Sequence, residues 1–309
     1  MIECVPNFSE GRDPAKVHAI EDAIRAVKGT LILDRTSDAD HHRSVITFAG
    51  LPDSVLEAAV AAAAQAKAVI DLRQHSGVHP RLGALDVLPF VPLGTATLED
   101  CVQLAHRAGE RIWNELGIPV YYYEAAAKRA DRRNLEDVRR GGFEVLHELV
   151  VTDASKAPDV GGPALHPTAG AVIVGARKIL IAFNINLRTD DLGVARSIAK
   201  TIRASNGGLP GVKALGLPLV SRGLVQVSMN LTDFEITPPH VVYSEVKRLA
   251  DHAGVEIVES EVIGLLPRKA IEWAGATHLK LYAFKAGMVI ENRIESIYPG
   301  SHTLPDLLA

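Results

Sequence analysis

The feature that most constrains this chain is an order of hydrophobic periodicities that occurs twice. Ile2 to Val5 is a strand-like run, and the turn chemistry of Asn7-Phe-Ser-Glu-Gly11 breaks it. Asp13-Pro14 offers an N-cap with proline at the first helical position. Val17, Ile20, Ala23, Ile24 and Val27 then recur at helical spacing until Gly29. Two β-branched runs, Thr30 to Asp34 and Ser44 to Phe48, flank a polar loop, and Pro52-Asp53 opens an alanine-rich helix running to about Leu72. The loop Arg73 to Gly83, a strand from Ala84 to about Pro89, a helix from Leu98 to Leu116 and a strand at Val120 to Tyr123 follow. Glu136 to Val150 reads as one further helix.

Between Thr152 and Gly170 the prolines and glycines Pro158, Gly161, Gly162, Pro163, Pro167 and Gly170 make a loop. A loop of that length in a compact protein is usually functional or a linker. The same grammar then restarts: strand Ile179 to Leu187, helix Asp191 to Ala204, strands Val212 to Val220 and Leu224 to Leu231, helix Pro239 to Ala253, strand Val255 to Ile263, and a helix from Arg268. Each half reads β-α-β-β-α-β. Pro6-Asn7-Phe8-Ser9 in the first half is echoed by Phe183-Asn184-Ile185-Asn186 in the second. The expected architecture is an α/β (α+β) fold of two ferredoxin-like α/β subdomains. Each has its helices on one sheet face, and the two sheets stand opposite each other across a substrate crevice.

A length of 309 residues suits two such units. A net charge of −4 argues against a nucleic-acid binder, which carries a basic excess. Cys4 and Cys101 stand far apart in no CxxC pattern, so neither a disulfide scaffold nor a cysteine zinc site is indicated. The N-terminal sequence lacks the basic and apolar regions of a signal peptide, and no apolar run approaches the roughly 20 residues that span a bilayer. The expectation is a cytoplasmic protein acting on small molecules, with no membrane or nucleic-acid partner.

The densest polar constellation is Arg73 to Gly83, with His75, His79, Arg73 and Arg81 on a loop between a helix and a strand. Histidine can take and return a proton near neutrality, and an arginine fork can hold a carboxylate. Taken alone, His75 reads more readily as the cap of the preceding helix and His79 as a turn residue. Their HxxxH spacing would suit a metal on a helix, but Gly77 and Pro80 break the helix and no HExxH is present, so no metal is expected. A second cluster, Ser37 to Ser44, contains Asp40, His41 and Arg43. An acid beside a histidine there could tune a proton carrier, and a solvated hairpin loop explains the pattern equally well. The third, Asp159 to Gly170, is neither GxGxxG nor a P-loop, and by composition alone reads as a linker. No GxSxG elbow occurs. Arg43, Arg81 and Arg177 are candidate carboxylate anchors. Asn7, Asn184, Asn186 and Asn230, at strand ends, could hydrogen-bond a heterocycle or cap turns.

Taken together, Glu3-Cys-Val-Pro-Asn-Phe-Ser-Glu-Gly11, His79-Pro-Arg-Leu-Gly-Ala-Leu-Asp86, Gly175-Ala-Arg-Lys178 and Ile181-Ala-Phe-Asn-Ile-Asn-Leu187 resemble the formiminotransferase domain of glutamate formiminotransferases, in order and spacing, to about residue 295. The resemblance implies transfer of the formimino group of N-formimino-L-glutamate, a histidine breakdown product, to tetrahydrofolate. This is one-carbon metabolism with tetrahydrofolate as co-substrate and no metal. It implies a homodimer with an N-terminal subdomain over 1–177, a C-terminal subdomain over 178–298 and a tail over 299–309. It assigns the catalytic proton transfer to His79. The folate loop falls on Gly161, Gly162, Pro163, Ala164, Leu165, His166, Pro167, Thr168, Ala169 and Gly170. Leu165, His166 and Ala169 replace aromatic and serine residues of animal members. Thr36 stands where those have an acid, a role left to Asp38 or Asp40. The animal proteins continue into a cyclodeaminase domain, so transfer without deamination is the expectation for this chain.

Three other readings stay open on the residues. Related proteins move a formyl group between 5-formyltetrahydrofolate and glutamate, and formyl differs from formimino only by O for NH. A non-catalytic folate-binding protein and a metal-dependent hydrolase using His75, His79, His41 and His42 are the others.

Overall fold

The computed structural model describes residues 1–39, 41–77, 80–275 and 278–297. They form two compact units that divide between Arg177 and Lys178. The first holds β1 (Ile2–Cys4), β2 (Asn7–Phe8), α1 (Pro14–Arg25), β3 (Thr30–Asp38), β4 (Arg43–Gly50), α2 (Pro52–Val69), β5 (Leu85–Pro92), α3 (Leu98–Leu116), β6 (Val120–Glu124), α4 (Leu135–Val138), α5 (Gly142–Leu149) and β7 (Val172–Ala176). β1 and β2 are one extended run interrupted at Val5-Pro6. They lie between β4 and β5, antiparallel to both. β3 flanks β4, β7 runs parallel to β5, and β6 parallel to β7.

Alternation along the strands sends Ile2, Cys4, Phe8, Ile46, Phe48, Leu88 and Phe90 to one face, all fully buried. Val17, Ile20 and Ile24 of α1, Ala59, Ala62 and Ala66 of α2, and Leu104, Ala108 and Ile112 of α3 belong to the same core. The alanines let α2 pack closely against α1, α3 and the sheet. The starts of these helices follow local chemistry. The Asp13 side chain accepts from Ala15 N, and Thr97 and Asp100 form a reciprocal capping box on α3.

Two segments depart from the sequence reading. The expected single helix at Glu136 to Val150 is two short ones, because Gly141 and Gly142 adopt φ of 91° and 68° and no helix continues through that conformation. Val172–Ala176, which follows the Gly-rich loop, is a central strand buried along its length between β5 and β6. A uniformly apolar run carries no period-two signal, and parallel strands covered on both faces show this pattern.

The second unit contains β8 (Ile181–Leu187), α6 (Leu192–Ile202), β9 (Val212–Leu219), β10 (Leu224–Leu231), α7 (Pro239–His252), β11 (Ile257–Ile263), α8 (Arg268–Ala274) and α9 (Ile290–Ile297). Its antiparallel sheet has the order β11-β8-β10-β9. Phe183, Ile185, Val227 and Met229 point to α6 and α7, while Asn184, Asn186 and Gln226 alternate to the opposite face. In each unit, then, the first strand of the β-α-β-β-α-β run lies between the fourth and the third. Among the described residues no helix is long and apolar enough to cross a membrane.

Gly175 of β7 lies directly under the Tyr123 ring, and a Cβ there would sit 2.4 Å from a ring carbon. Gly175→Ala is expected to destabilise the protein by about 1–3 kcal/mol through overpacking. Tyr123→Ala in the same background should cancel part of that loss. Urea unfolding of the two single variants and the double variant gives the coupling, and strictly additive effects would refute the steric account.

Candidate active site

One end of the first sheet collects the polar residues. β2 leaves the sheet there at Phe8, and β4, β5 and β7 enter it at Arg43, Leu85 and Val172, as their pairings require. The loops before β5 and before β7 are laced together. Leu72 N donates to Thr168 O (2.9 Å), Ala84 N to Ala169 O (2.9 Å) and Ala171 N to Leu82 O (3.0 Å). Ser9 joins them, its amide donating to Ala84 O and its hydroxyl to Gly83 O at 2.7 Å. Gly83 and Gly170 permit this contact, since a Cβ on either would fall within 2.2 Å of a carbonyl oxygen across the seam. The segment that follows His79 in the chain is therefore held against the Gly161–Gly170 loop.

The centre of this end is Asp86. Asn7 pairs with Val87 and Phe8 with Leu85, so β5 carries one residue more than β2, and the bulge falls on Asp86. A bulge re-aims a side chain, and here it turns a carboxylate with 0% exposure toward Arg43 and Asn7. Its Oδ1 accepts from Leu82 N at 2.8 Å. Its Oδ2 accepts from Arg43 Nη1 at 3.1 Å and from Arg139 Nη2 at 2.5 Å. Arg43 also donates from Nε and Nη2 to Asn7 Oδ1 at 3.1 and 2.6 Å, and Asn7 Nδ2 donates to Val5 O. Burial lowers the Arg43 pKa to about 10 against the pull of Asp86, so it stays cationic at neutral pH. Burial pushes the Tyr123 hydroxyl up to about 12, with Arg177 beside it opposing the rise; farther along the sheet, where Glu3 pairs with Val91, burial pushes the Glu3 carboxyl up to about 7, again opposed by Arg177.

A second network joins three loops. Glu10 Oε1 accepts from Arg12 N, Asp13 N and His42 Nε2 at 2.9–3.0 Å. His42 Nδ1 lies 3.0 Å from Ser76 O. A carboxylate and a carbonyl only accept, so both His42 contacts are hydrogen bonds in the imidazolium form. The His75 ring stacks on His42 at 4.1 Å with an interplanar angle of 8°, and its Nε2 lies 3.0 Å from His42 O. Desolvation lowers the His75 pKa. His75 thus both caps the helical turn Leu72–Gln74, its amide donating to Leu72 O, and stacks on the β3–β4 loop.

The other residues expected from sequence are placed as follows. Arg81 donates to Glu144 and to the carbonyls of His75 and Leu72, bracing the loop before β5. His41 pairs with Asp38 in an exposed hairpin turn. Arg177 follows β7, its amide donating to Phe90 O. In the 161–170 loop, Leu165, Ala169 and Gly170 are buried, and Gly161, Pro163, Ala164 and Pro167 are exposed. His166 Nδ1 accepts from Thr168 N and Ala169 N, and burial followed by the charge of Lys67 lowers its pKa. Asn184 donates to Glu261, and Asn186 donates to Glu259 while accepting from Gln226. They lie on the polar face of the second unit's sheet, as does the exposed Asn230. His79 and Asp40 lie outside the described residues. Among the described residues no three His, Cys, Asp or Glu side chains gather as a metal site requires. Asp86 and Glu10 lie within the family-like motifs 79–86 and 3–11, which give neither residue a role. Arg139 carried no signal at all, because it sits in the segment read as continuous helix.

Two β-α-β-β-α-β units, the first with arginines and histidines gathered at a sheet end beside a Gly-rich loop, define an α+β protein. The sequence pattern of the formiminotransferase domain's N-terminal subdomain matches residues 1–177, and that of the formiminotransferase domain matches residues 182–295. The chain belongs to the formiminotransferase family. It is 45% identical over 297 residues to the glutamate formimidoyltransferase of Thermoplasma acidophilum, covering 96% of this chain and 97% of that protein. It is 42% identical over 295 residues to the enzyme of the same name from Streptococcus pyogenes serotype M1, covering 95% and 98%. The formimidoyltransferase-cyclodeaminase of Sus scrofa is 42% identical over 281 residues, which span 89% of this chain and 52% of that protein.

Burial favours the protonated Glu10 carboxyl, but the amides of Asp13 and Arg12 and the His42 ring outweigh it and bring the pKa down to about 2. The folded value lies below the unfolded one near ~4.3. Glu10 therefore contributes stability that is present above pH ~4.3 and lost as pH falls toward 2. Glu10→Gln should melt below the wild type at pH 7, and the gap should close on acidification. A gap of constant size between pH 7 and pH 3 would contradict this.

Proposed function

We propose that this chain is a glutamate formimidoyltransferase, converting N-formimino-L-glutamate and tetrahydrofolate to 5-formimino-tetrahydrofolate and L-glutamate. The end-to-end likeness to relatives of that name carries the reading. In the mechanism, N5 of tetrahydrofolate attacks the amidine carbon to give a tetrahedral intermediate. His79 takes the proton from N5 and delivers it to the glutamate nitrogen as the carbon–nitrogen bond breaks. An acid–base group of this kind contributes on the order of 10² to 10⁴ in rate, with the remainder from holding two substrates together. No metal is called for in this sequence of steps.

Tetrahydrofolate is assigned to the Gly161–Gly170 loop. The hydrogen bonds that tie this loop to Leu82 and Ala84 support that assignment, because they bring it beside the segment following His79. Homodimeric assembly and a cytoplasmic location complete the proposal. The deciding experiment is a transfer assay with formiminoglutamate and tetrahydrofolate, followed spectroscopically for the 5-formimino product. Turnover only with a 5-formyl donor would replace formimino by formyl transfer. Folate binding without turnover would remove the catalytic reading. His79→Ala should retain the wild-type fold by circular dichroism and lose transfer by about 10² to 10⁴; near-wild-type turnover in that variant would exclude His79 as the proton carrier.

A further inference from the structure

Arg139 is the one member of the Asp86 cluster to which neither the motifs nor the mechanism gives work. It caps the C-terminal end of α4, just before the break at Gly141. Its side chain reaches across to the start of β5 and is 12% exposed. Among the described residues, its guanidinium has a single hydrogen-bonding partner, Asp86, engaged through Nη2. Its Nε is enclosed without any acceptor. Arg43 shares the same carboxylate oxygen, so two guanidinium groups stand side by side. Tyr123, buried nearby, feels the charges of Arg177 and Arg139.

Enclosing a guanidinium N–H without an acceptor is unfavourable, and the Nη donors not held by Asp86 remain for another partner. For Asp86 itself a second guanidinium is not required, since Arg43 and Leu82 N already satisfy one bond on each oxygen. The arrangement is that of a pre-positioned fork. Asp86 fixes the guanidinium plane by one corner and leaves the others for an acceptor. A planar fork of N–H donors matches a carboxylate in both charge and geometry.

We propose that Arg139, oriented by Asp86 beside Arg43, is a subsite for a carboxylate of a glutamyl group. This rests on the transferase reading above, in which such carboxylates occur on the formimino donor and on the folate tail. Asp86 acts as a positioning residue that holds both arginines. Arg43 supplies the second positive charge and is fixed in turn by Asn7. The subsite lies at the sheet end where the loops before β5 and β7 are laced, so a carboxylate held there leaves the rest of the molecule beside those loops.

The test uses the full chain with Arg139→Gln and Arg139→Lys. KM for formiminoglutamate and KM for tetrahydrofolate are measured separately, with melting temperature as the control for folding. The expected result for Arg139→Gln is a rise of about 10- to 100-fold in one of the two KM values, with kcat within about threefold. A rise for formiminoglutamate identifies the donor carboxylate, and a rise for tetrahydrofolate identifies the tail. Arg139→Lys keeps the charge on Asp86 and should recover part of the loss. It also stands in as the test variant, with a smaller rise in KM expected, if Arg139→Gln does not fold. Donors with each carboxylate in turn converted to its amide close the argument for the donor. One of them should bind the wild type about 10- to 100-fold more weakly yet suffer no such further penalty in the variant. Unchanged KM values for both substrates in a folded variant would overturn the proposal, as would a loss confined to kcat. Absence of wild-type turnover with any donor would fault the transferase reading instead. In that case, calorimetric titration of L-glutamate and tetrahydrofolate into both proteins still decides the subsite, and equal affinities overturn it.

Discussion

The arrangement of the first unit turns on a buried carboxylate. Asp86 is fully enclosed, and a charge in that position persists only with partners on both oxygens. The partners come from three places: the Leu82 amide at the foot of β5, Arg43 at the head of β4, and Arg139 beyond α4. Arg43 and the Leu82 amide each satisfy one oxygen and Arg139 shares Oδ2, so the three segments meet at one carboxylate. Asn7 extends the same network into β2. The bulge at Asp86 is what makes this possible, because regular alternation would send residue 86 to the side of the sheet occupied by Phe90 and Leu88.

Around that centre, loops distant in sequence become neighbours through backbone hydrogen bonds. The Ser9 contacts and the seam between residues 82–84 and 169–171 join a strand end, the loop before β5 and the Gly-rich loop. The His42–His75 stack with Glu10 beneath it does the same on the β3–β4 side. The two networks have opposite electrostatic character. One places guanidinium groups around a carboxylate, and the other places an imidazole ring between a carboxylate and a carbonyl. Each kind of group is held by its own partners.

Much of this was legible in the sequence because it depends on local periodicity. The N-cap at Asp13, the helical spacing from Val17 to Val27 and the paired β-branched runs all appear where expected. The segment at 136–150 was not legible as two helices, since Gly141-Gly142 can be carried through a helix at modest cost or can break one. Strand β7 was missed because its apolar run has no alternation to read. Among the site residues, Arg43 and Asn7 were named for their chemistry, and the structure joins them to each other. Arg81 was named as an anchor, and its guanidinium is occupied by Glu144 and loop carbonyls.

By itself the sequence determined the order of elements, the α+β class and, through several short motifs in register, the family. Those properties follow from side-chain spacing over a few residues and from the chemistry of individual groups. The tertiary structure alone decided that Asp86 anchors Arg43, that Arg139 joins it, and that His75 stacks on His42. Each of these pairs groups separated by a strand pairing, a bulge or a helix break. Such juxtapositions depend on register and backbone direction, which no local pattern of residues encodes.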